Sequence, residues 1–312
     1  MNYQLSETNV FDDYAAIAAL QQLVTLSPES AEEMHSAETE PSATVRRRRV
    51  VARNEAGTII GTSQLRLRAP APDSYTFLVV SVDPAHRRRG AGTALYEEAM
   101  AFVRQHESAT LITAFPDNDS DAYRFAEQRG FVLDQHWVHF ALDLASFDMP
   151  RFAQVKQAVQ QQGIRFFALA DVGNSLEYQR KLYDLNRRTS LDAPGEDTFP
   201  SFEEFVEDIC TAPWFRADGQ IIAADGERWV GLGAVGLEGN IAHNAFTGVD
   251  QEYRRRHIAE ALTLRTIEYA QEHGATQLQV SNDSRNTGML RMQEKLGYYP
   301  IPGRYVMTKE IE

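Results

Sequence analysis

The residues with the most chemical potential lie in one run, Val82-Asp83-Pro84-Ala85-His86-Arg87-Arg88-Arg89-Gly90-Ala91-Gly92-Thr93, where a β-branched stretch gives way to a basic loop and a helix opens. The first backbone N–H groups of a helix have no intrahelical partner. Together with the positive end of the helix dipole they point at any anion placed before them. Gly90 and Gly92 let the backbone turn tightly and approach a ligand without a Cβ in the way, and Arg87, Arg88 and Arg89 add positive charge. Such an arrangement suits a pyrophosphate. It is neither the GxGxxG dinucleotide fingerprint nor a GxxxxGK[ST] phosphate loop. The strands before it are patterned as antiparallel hairpins, where those nucleotide folds require a parallel βαβ unit.

The loop must be held by the elements around it. Residues 2–6 read as a short strand and 11–24 as a helix, with Phe11, Tyr14, Ala15, Ala18 and Leu23 at helical spacing. Residues 45–82 alternate with period two, and turn chemistry at 54–57 and 69–74 divides them into a three-stranded meander. After the loop, Ala91, Leu95, Ala99, Phe102 and Val103 define one helix face. A strand, a helix stopping at Gly130 and a further strand complete the set. The whole order then recurs. Arg87 and Arg254 stand 167 residues apart, as do Gly130 and Gly297, so loop, helix, strand and helix match without a net insertion. Gly61 and Gly231 are 170 apart, which leaves the first copy three more residues in its last hairpin. Pro150, in SFDMPRF, marks the boundary and predicts domains at 1–148 and 149–312.

Arg87-x-x-Gly90-x-Gly92, after Val-Asp-Pro and before Leu95, resembles the coenzyme A signature of the GNAT superfamily of N-acetyltransferases, [Q/R]-x-x-G-x-[G/A]. The second copy, TGVDQEYRRRHIAEAL, is similar to the C-terminal half of tandem GNAT proteins. The resemblance implies an α/β fold of two tandem GNAT-like domains. Each would be a mixed, mostly antiparallel sheet splayed into a V, with helices on both faces. It implies acetyl-CoA as cofactor and direct transfer of the acetyl group to a primary amine of a small molecule. In the first copy the implied cofactor-binding residues are Val80, Ser81, Val82, Arg87, Arg88, Arg89, Gly90, Ala91, Gly92, Thr93 and Asn118. In the second they are Thr247, Gly248, Val249, Arg254, Arg255, Arg256, His257, Ile258, Ala259, Asn282 and Asn286. Backbone N–H groups of Ser81 and Val82, and of Gly248 and Val249, are expected to stabilise the oxyanion.

The two copies depart from the family pattern in different places. His257 stands where the first copy has Gly90, and Glu260 where it has Thr93. A Cβ-bearing residue can make the turn if its φ stays negative, but a carboxylate there repels pyrophosphate. A Tyr that GNAT enzymes often carry four residues before the G-F glycine is Ala126 in one copy and Gln293 in the other. Tyr123, one turn earlier on the helix, is a candidate substitute for that proton donor. For the base that frees the amine lone pair, the candidates are Glu29, Glu32, Glu33 and His35 after the first helix, with Asp192, Glu203 and Glu204 in the matching place of the second copy. His243, on the cofactor-facing strand, can titrate near neutrality. Of these, His243, Tyr123 and Glu33 are carried forward as catalytic candidates.

The remaining features exclude more than they assign. A formal charge of −13 over 312 residues opposes non-specific binding to nucleic acid or an anionic membrane surface. The single cysteine, Cys210, reads as a small buried hydrophobe in a reducing compartment. The N-terminal segment lacks the pattern of a signal peptide, which predicts a cytoplasmic protein. His136 and His139 would face opposite sides of a strand, and no metal is predicted. Alternation divides the arginines at 46–49 between two faces, where they could read an acidic acceptor but a solvated edge or pairing with nearby Glu is expected. The chain is expected to be a monomer of two pseudo-dimeric domains or a homodimer. Two other readings compete with the tandem acetyltransferase. One is a non-catalytic acyl-CoA sensor or scaffold, and the other is an enzyme similar to mycothiol synthase, with one active and one structural half.

Overall fold

The structure, a computed structural model, describes residues 3–9, 11–26, 28–39, 45–68, 75–106, 109–191 and 198–311. Two expectations, the turn at 69–74 and Asp192, lie outside these residues. The chain divides into two compact units, Met1–His136 with Pro302–Glu312, and Trp137–Ile301.

In the first unit β1 (Tyr3–Glu7), β2 (Val45–Asn54), β3 (Ile59–Arg68) and β4 (Tyr75–Val82) are antiparallel neighbours, and β5 (Thr110–Pro116) runs parallel to β4. Helices α1 (Tyr14–Val24), α2 (Ala31–Thr39), α3 (Ala91–Gln105) and α4 (Ser120–Glu127) cover the sheet. Successive side chains along β2 point to opposite faces of the sheet, and both faces are covered. Val50 and Ala52 join Ala91 and Leu95 of α3, while Val51 turns to Tyr14, Ile17 and Met34 of α1 and α2. Along α3, Ala91, Leu95, Ala99 and Val103 recur every fourth residue as a fully buried stripe.

The second unit takes 137–143 of β6 (Val132–Asp143) and continues through α5 (Ala153–Gln160), β7 (Ile164–Ala168), α6 (Leu169–Val172), α7 (Leu176–Ser190) and α8 (Phe202–Phe205). A second meander follows in β8 (Gln220–Asp225), β9 (Arg228–Glu238) and β10 (Ile241–Val249). Then come α9 (Ile258–Glu272), β11 (Gln277–Asp283) and α10 (Thr287–Leu296), before β12 (Tyr299–Glu310), which belongs to the first unit from Pro302 on. The mixed, mostly antiparallel character predicted for both copies is what the strands show: within each unit the meander is antiparallel, and one pair, β4 with β5 or β10 with β11, is parallel.

The expected linear cut at residue 148 differs from this division. β6 leaves the first copy to pair antiparallel with β11, from Asp283↔Trp137 to Gln277↔Asp143. β12 returns to pair with β5, from Arg304↔Pro116 to Glu310↔Thr110. The two closing strands follow equivalent Gly-aromatic stops and fill equivalent places, so each sheet is complete although the strands are exchanged.

The basic run in β2 is paired on both sides of the sheet. Arg48 contacts Glu7 at 2.8 Å and Glu98 at 2.6 Å, and the buried Arg49 contacts Glu38 at 2.7 Å. Cys210 is half-buried, and burial pushes its thiol up to about 11. Since the thiolate is the nucleophile, alkylation of the native protein at pH 8 is expected to run about 100-fold slower than alkylation of the unfolded chain. Timed iodoacetamide labelling read by mass spectrometry checks this. No helix among the described residues is long and apolar enough to cross a membrane.

Candidate functional site

The loop that opens the sequence argument is held by its own side chains. Asp83 Oδ1 accepts from the Ala85 N–H at 2.8 Å and starts a 3₁₀ turn, Pro84–His86. Arg87 then ties the loop down: Nε donates to the Val82 carbonyl at 3.2 Å, and the guanidinium pairs with Asp119 at 2.9 Å. Arg87, predicted as a pyrophosphate contact, is thus first an anchor between the end of β4 and the N-cap of α4. Arg88 (φ 61°) and Gly90 (φ 89°) both lie in the left-handed region, and α3 begins directly after. A side chain at Gly90 would combine that φ with a Cβ 3.2 Å from the Tyr3 hydroxyl. Gly90→Ala is accordingly expected to cost about 1–2 kcal/mol in urea denaturation. Gly92 differs, because a Cβ there would meet Phe125 and Val82 at an ordinary 3.4 Å. The fold itself makes no demand for glycine at 92, and what its absent side chain leaves open is the approach to the first turn of α3.

The second component is a sheet edge. β4 pairs with β5 only over Tyr75–Phe77, yet it stays paired with β3 as far as Val82. From Leu78 onward its other edge is open. The phase is fixed by the Asp83 N–H, which donates to the Ile60 carbonyl at 3.0 Å. In an antiparallel ladder bonded residues alternate, so Ser81 and Val79 face β3 while Leu78, Val80 and Val82 turn their backbone groups to the open edge. The donors at that edge are therefore Val80 and Val82, where Ser81 and Val82 were expected. Between this edge, the start of α3 and α4 lies a cavity of about 690 Å³. It runs from Arg88, Gly90, Gly92 and Thr93 past Val80 and Phe125 to Thr25, Glu29, Gln64 and Arg66.

The sequence pattern of the acetyltransferase (GNAT) family matches this chain twice, over residues 16–131 and 179–298. The chain belongs to the acetyltransferase (GNAT) family. Among curated proteins it is similar to a mycothiol acetyltransferase of Saccharomonospora viridis, 24% identical over 264 residues that cover 79% of this chain and 78% of that one. Among solved structures it is similar to a GCN5-related N-acetyltransferase from Sphaerobacter thermophilus, with a TM-score of 0.73, 18% identity and coverage of 99% and 95%. It is also similar to a tandem GNAT protein from the clavulanic acid biosynthesis pathway, with a TM-score of 0.68, 19% identity and coverage of 99% and 98%. These structures carry the fold, and the family carries the activity: the protein is an acetyl-CoA-dependent acetyltransferase of the tandem GNAT type.

Placed in the GNAT frame, the first-copy residues separate by where they face. Val80, Ser81, Val82, Arg87, Arg88, Gly90, Gly92 and Thr93 line the cavity. Arg89 and Ala91 face a different hollow, beside Tyr3 and Ile60. Asn118 does not line the cavity; its neighbour Asp119 does, as the N-cap that also holds Arg87. Arg129 was missed. It lies 3.4 Å over the Phe125 ring and donates to Thr93 Oγ1 at 2.8 Å, which puts a guanidinium at the start of α3. Burial draws its pKa below the ordinary arginine value. An Arg just before Gly130 was the available signal.

The second GNAT copy repeats the frame with different side chains at the helix start. Arg254 Nε donates to the Val249 carbonyl at 3.3 Å, as Arg87 does to Val82. The Asp250 N–H bonds Val230 at 2.9 Å, which turns Thr247 and Val249, and not Gly248, to the open edge. His257 makes the turn with φ 61°, in the left-handed conformation, so the turn is made without the negative φ that would spare a Cβ-bearing residue. Arg256 is drawn aside to Gln162 at 3.0 Å, and Ile258 is buried. Ala259 packs on the core, and Asn286 caps α10. The decisive difference is Glu260. Its carboxylate is 7% exposed, 3.1 Å from His257 Nδ1 and 2.5 Å from Lys295 Nζ. In the 167-residue register Glu260 and Lys295 replace Thr93 and Gln128, both cavity-lining in the first copy.

The three catalytic candidates are not brought together. Glu33 caps α2, accepting from the Ser30 N–H at 2.7 Å, and that bond holds its carboxyl below the usual range. Glu204 caps α8 in the same way with Ser201. Both are capping boxes, legible as S-x-x-E. Tyr123 packs edge-on to Phe115 and Tyr305 and does not line the cavity. His243 sits where β10 is paired on both sides, opposite Gly236 and Gln279, with Glu238 at 3.5 Å. Glu32 and Glu203 are exposed, and His35 packs on Tyr14 at 4.7 Å. His136 pairs with Asp117 at 3.0 Å. Of the candidate bases among the described residues, Glu29 is the one that lines the cavity, with Arg66 at 2.9 Å and Arg49 at 3.5 Å.

Proposed function

We propose that the first unit carries acetyl transfer from acetyl-CoA to a primary amine of a small molecule, and that the second unit is chiefly structural. One observation carries this reading: a single cavity joins the open start of α3 to the carboxylate of Glu29. The residues present fit the cofactor. Gly92 leaves the helix start uncovered, α3 has no acidic residue in its first turn, and Arg88 and Arg129 supply charge at the rim. Bound there, acetyl-CoA supplies an activated acetyl group as a thioester. Val80 and Val82 offer the N–H donors for the acyl oxygen, in a site whose aromatic walls, Phe125 and Phe131, keep water out and strengthen those bonds. Glu29 holds the amine in its ammonium form and takes the proton that must leave before the nitrogen can attack.

The test is an amine panel incubated with acetyl-CoA, read by release of free thiol. The mycothiol acetyltransferase relatives recommend the amine precursor of mycothiol as one member. Acetylation of at least one amine is expected, with Glu29→Gln lowering kcat/KM about 100-fold. Acetyl-CoA binding without turnover of any amine would favour a sensor or scaffold instead.

A further inference from the structure

At the end of the cavity away from the loop, two buried polar atoms, Thr25 Oγ1 and Gln64 Nε2, have no hydrogen-bond partner among the described residues. Both residues line the cavity, and Gln64 is 6% exposed. A buried donor left unmade is costly, and native structures rarely tolerate one without a reason. The fold does not require the amide of Gln64. In the second copy the position of Gln64 is Ala234, which pairs with Phe246 as Gln64 pairs with Val79. Neither residue is spare in its backbone either. Thr25 is fixed by its N–H on the Gln21 carbonyl, and Gln64 sits in the β3–β4 ladder. Arg66 is held by Glu29 at 2.9 Å, and Gln21 Oε1 accepts from the Glu29 N–H at 2.6 Å. What lacks a counterpart at this end is neutral hydrogen bonding.

We infer that the acceptor is an amine carrying an uncharged oxygen, a hydroxyl or a carbonyl, close to its amino group, and that Thr25 and Gln64 select it. The inference rests on the first cleft being the acyl-transfer site. Glu29 takes the amino end, and the amide of Gln64 and the hydroxyl of Thr25 take the oxygen. The neutral pair explains the choice of oxygen, because a carboxylate there would face Glu29.

The experiment compares matched amines that differ in that oxygen, 2-aminoethanol against n-propylamine and glycinamide against n-butylamine. The oxygenated member of each pair is expected to have a kcat/KM at least about tenfold higher, mostly through KM. Gln64→Leu should bring the ratio to within about twofold while acetyl-CoA affinity holds. Without ligand, Gln64→Leu should raise the melting midpoint by roughly 2–4 °C, since it removes an unpaired buried amide. Three results overturn the inference: equal turnover of both members by the wild type, a ratio that survives both Gln64→Leu and Thr25→Val, or a lower melting midpoint for Gln64→Leu. Failure to bind acetyl-CoA at all would instead sink the reading of the cleft, and this inference with it.

Discussion

Titrated calorimetrically with acetyl-CoA, the protein is expected to bind one equivalent per chain, and Gly92→Asp to weaken that binding about 100-fold without lowering the melting midpoint. A carboxylate at position 92 would stand in the first turn of α3, where the left-handed Gly90 leaves backbone N–H groups uncovered. Two unit charges 4 Å apart near a protein surface interact by about 4 kcal/mol, and salt reduces this. A loss of about 3 kcal/mol, or 100-fold, is the consequence for a pyrophosphate placed there. The same carboxylate is favourable to the helix, because an acid in the first turn complements the dipole by about 0.3–1 kcal/mol. The Cβ itself fits, meeting Phe125 and Val82 at 3.4 Å. Binding and stability thus move in opposite directions, which separates ligand contact from scaffold. If Gly92→Asp binds acetyl-CoA as the wild type does, the first cleft is not the site.

Much of this was legible in the sequence for physical reasons. β-branched residues between turn signals over 45–82 and the every-fourth-residue stripe of α3 made the meander and the helix readable, because each element's own repeat decides which side chains it brings to the core. The 167-residue register placed the second copy's basic loop and the helix, strand and helix that follow it. Three things were not legible. The first is the destination of a strand: β6 and β12 follow the same stop signals, and nothing local says that 137–143 pairs with β11 and not with β5. The second is strand phase. Ser81 and Val80 differ only in which edge their amides face, and the ladder bond from Asp83 to Ile60 decides it. The third is the acceptor end of the cavity, where Thr25, Glu29, Gln64 and Arg66 come from separate elements and share no spacing. Glu33 misled because a capping carboxylate and a catalytic one are the same residue type in the same segment, although Ser30 three residues before it was the clue.

Glu260 makes the complementary prediction, that a second acetyl-CoA site can be uncovered. It stands at the third helical position of α9, where a carboxylate stabilises the helix start, and nature has done there what Gly92→Asp would do in α3. Lys295 and His257 hold that carboxylate at the helix start, where it stands in the way of a phosphate. Replacing both by their first-copy counterparts, Glu260→Thr with Lys295→Gln, is expected to raise the calorimetric stoichiometry from one towards two, with the new site the weaker because Ile258 and Ala259 remain. The same change should cost about 1–2 kcal/mol of stability, from the lost dipole and pair interactions. Lys295→Gln alone should cost as much or more, since it leaves a 7% exposed carboxylate without its cation. Denaturant titration of the two single variants and the double variant measures the coupling directly. If the double variant still binds one equivalent, the second cleft is closed by more than its carboxylate. The next groups to test are then the polar side chains of Asn282, Gln293 and Tyr298, whose first-copy counterparts Phe115, Ala126 and Phe131 line the open cavity.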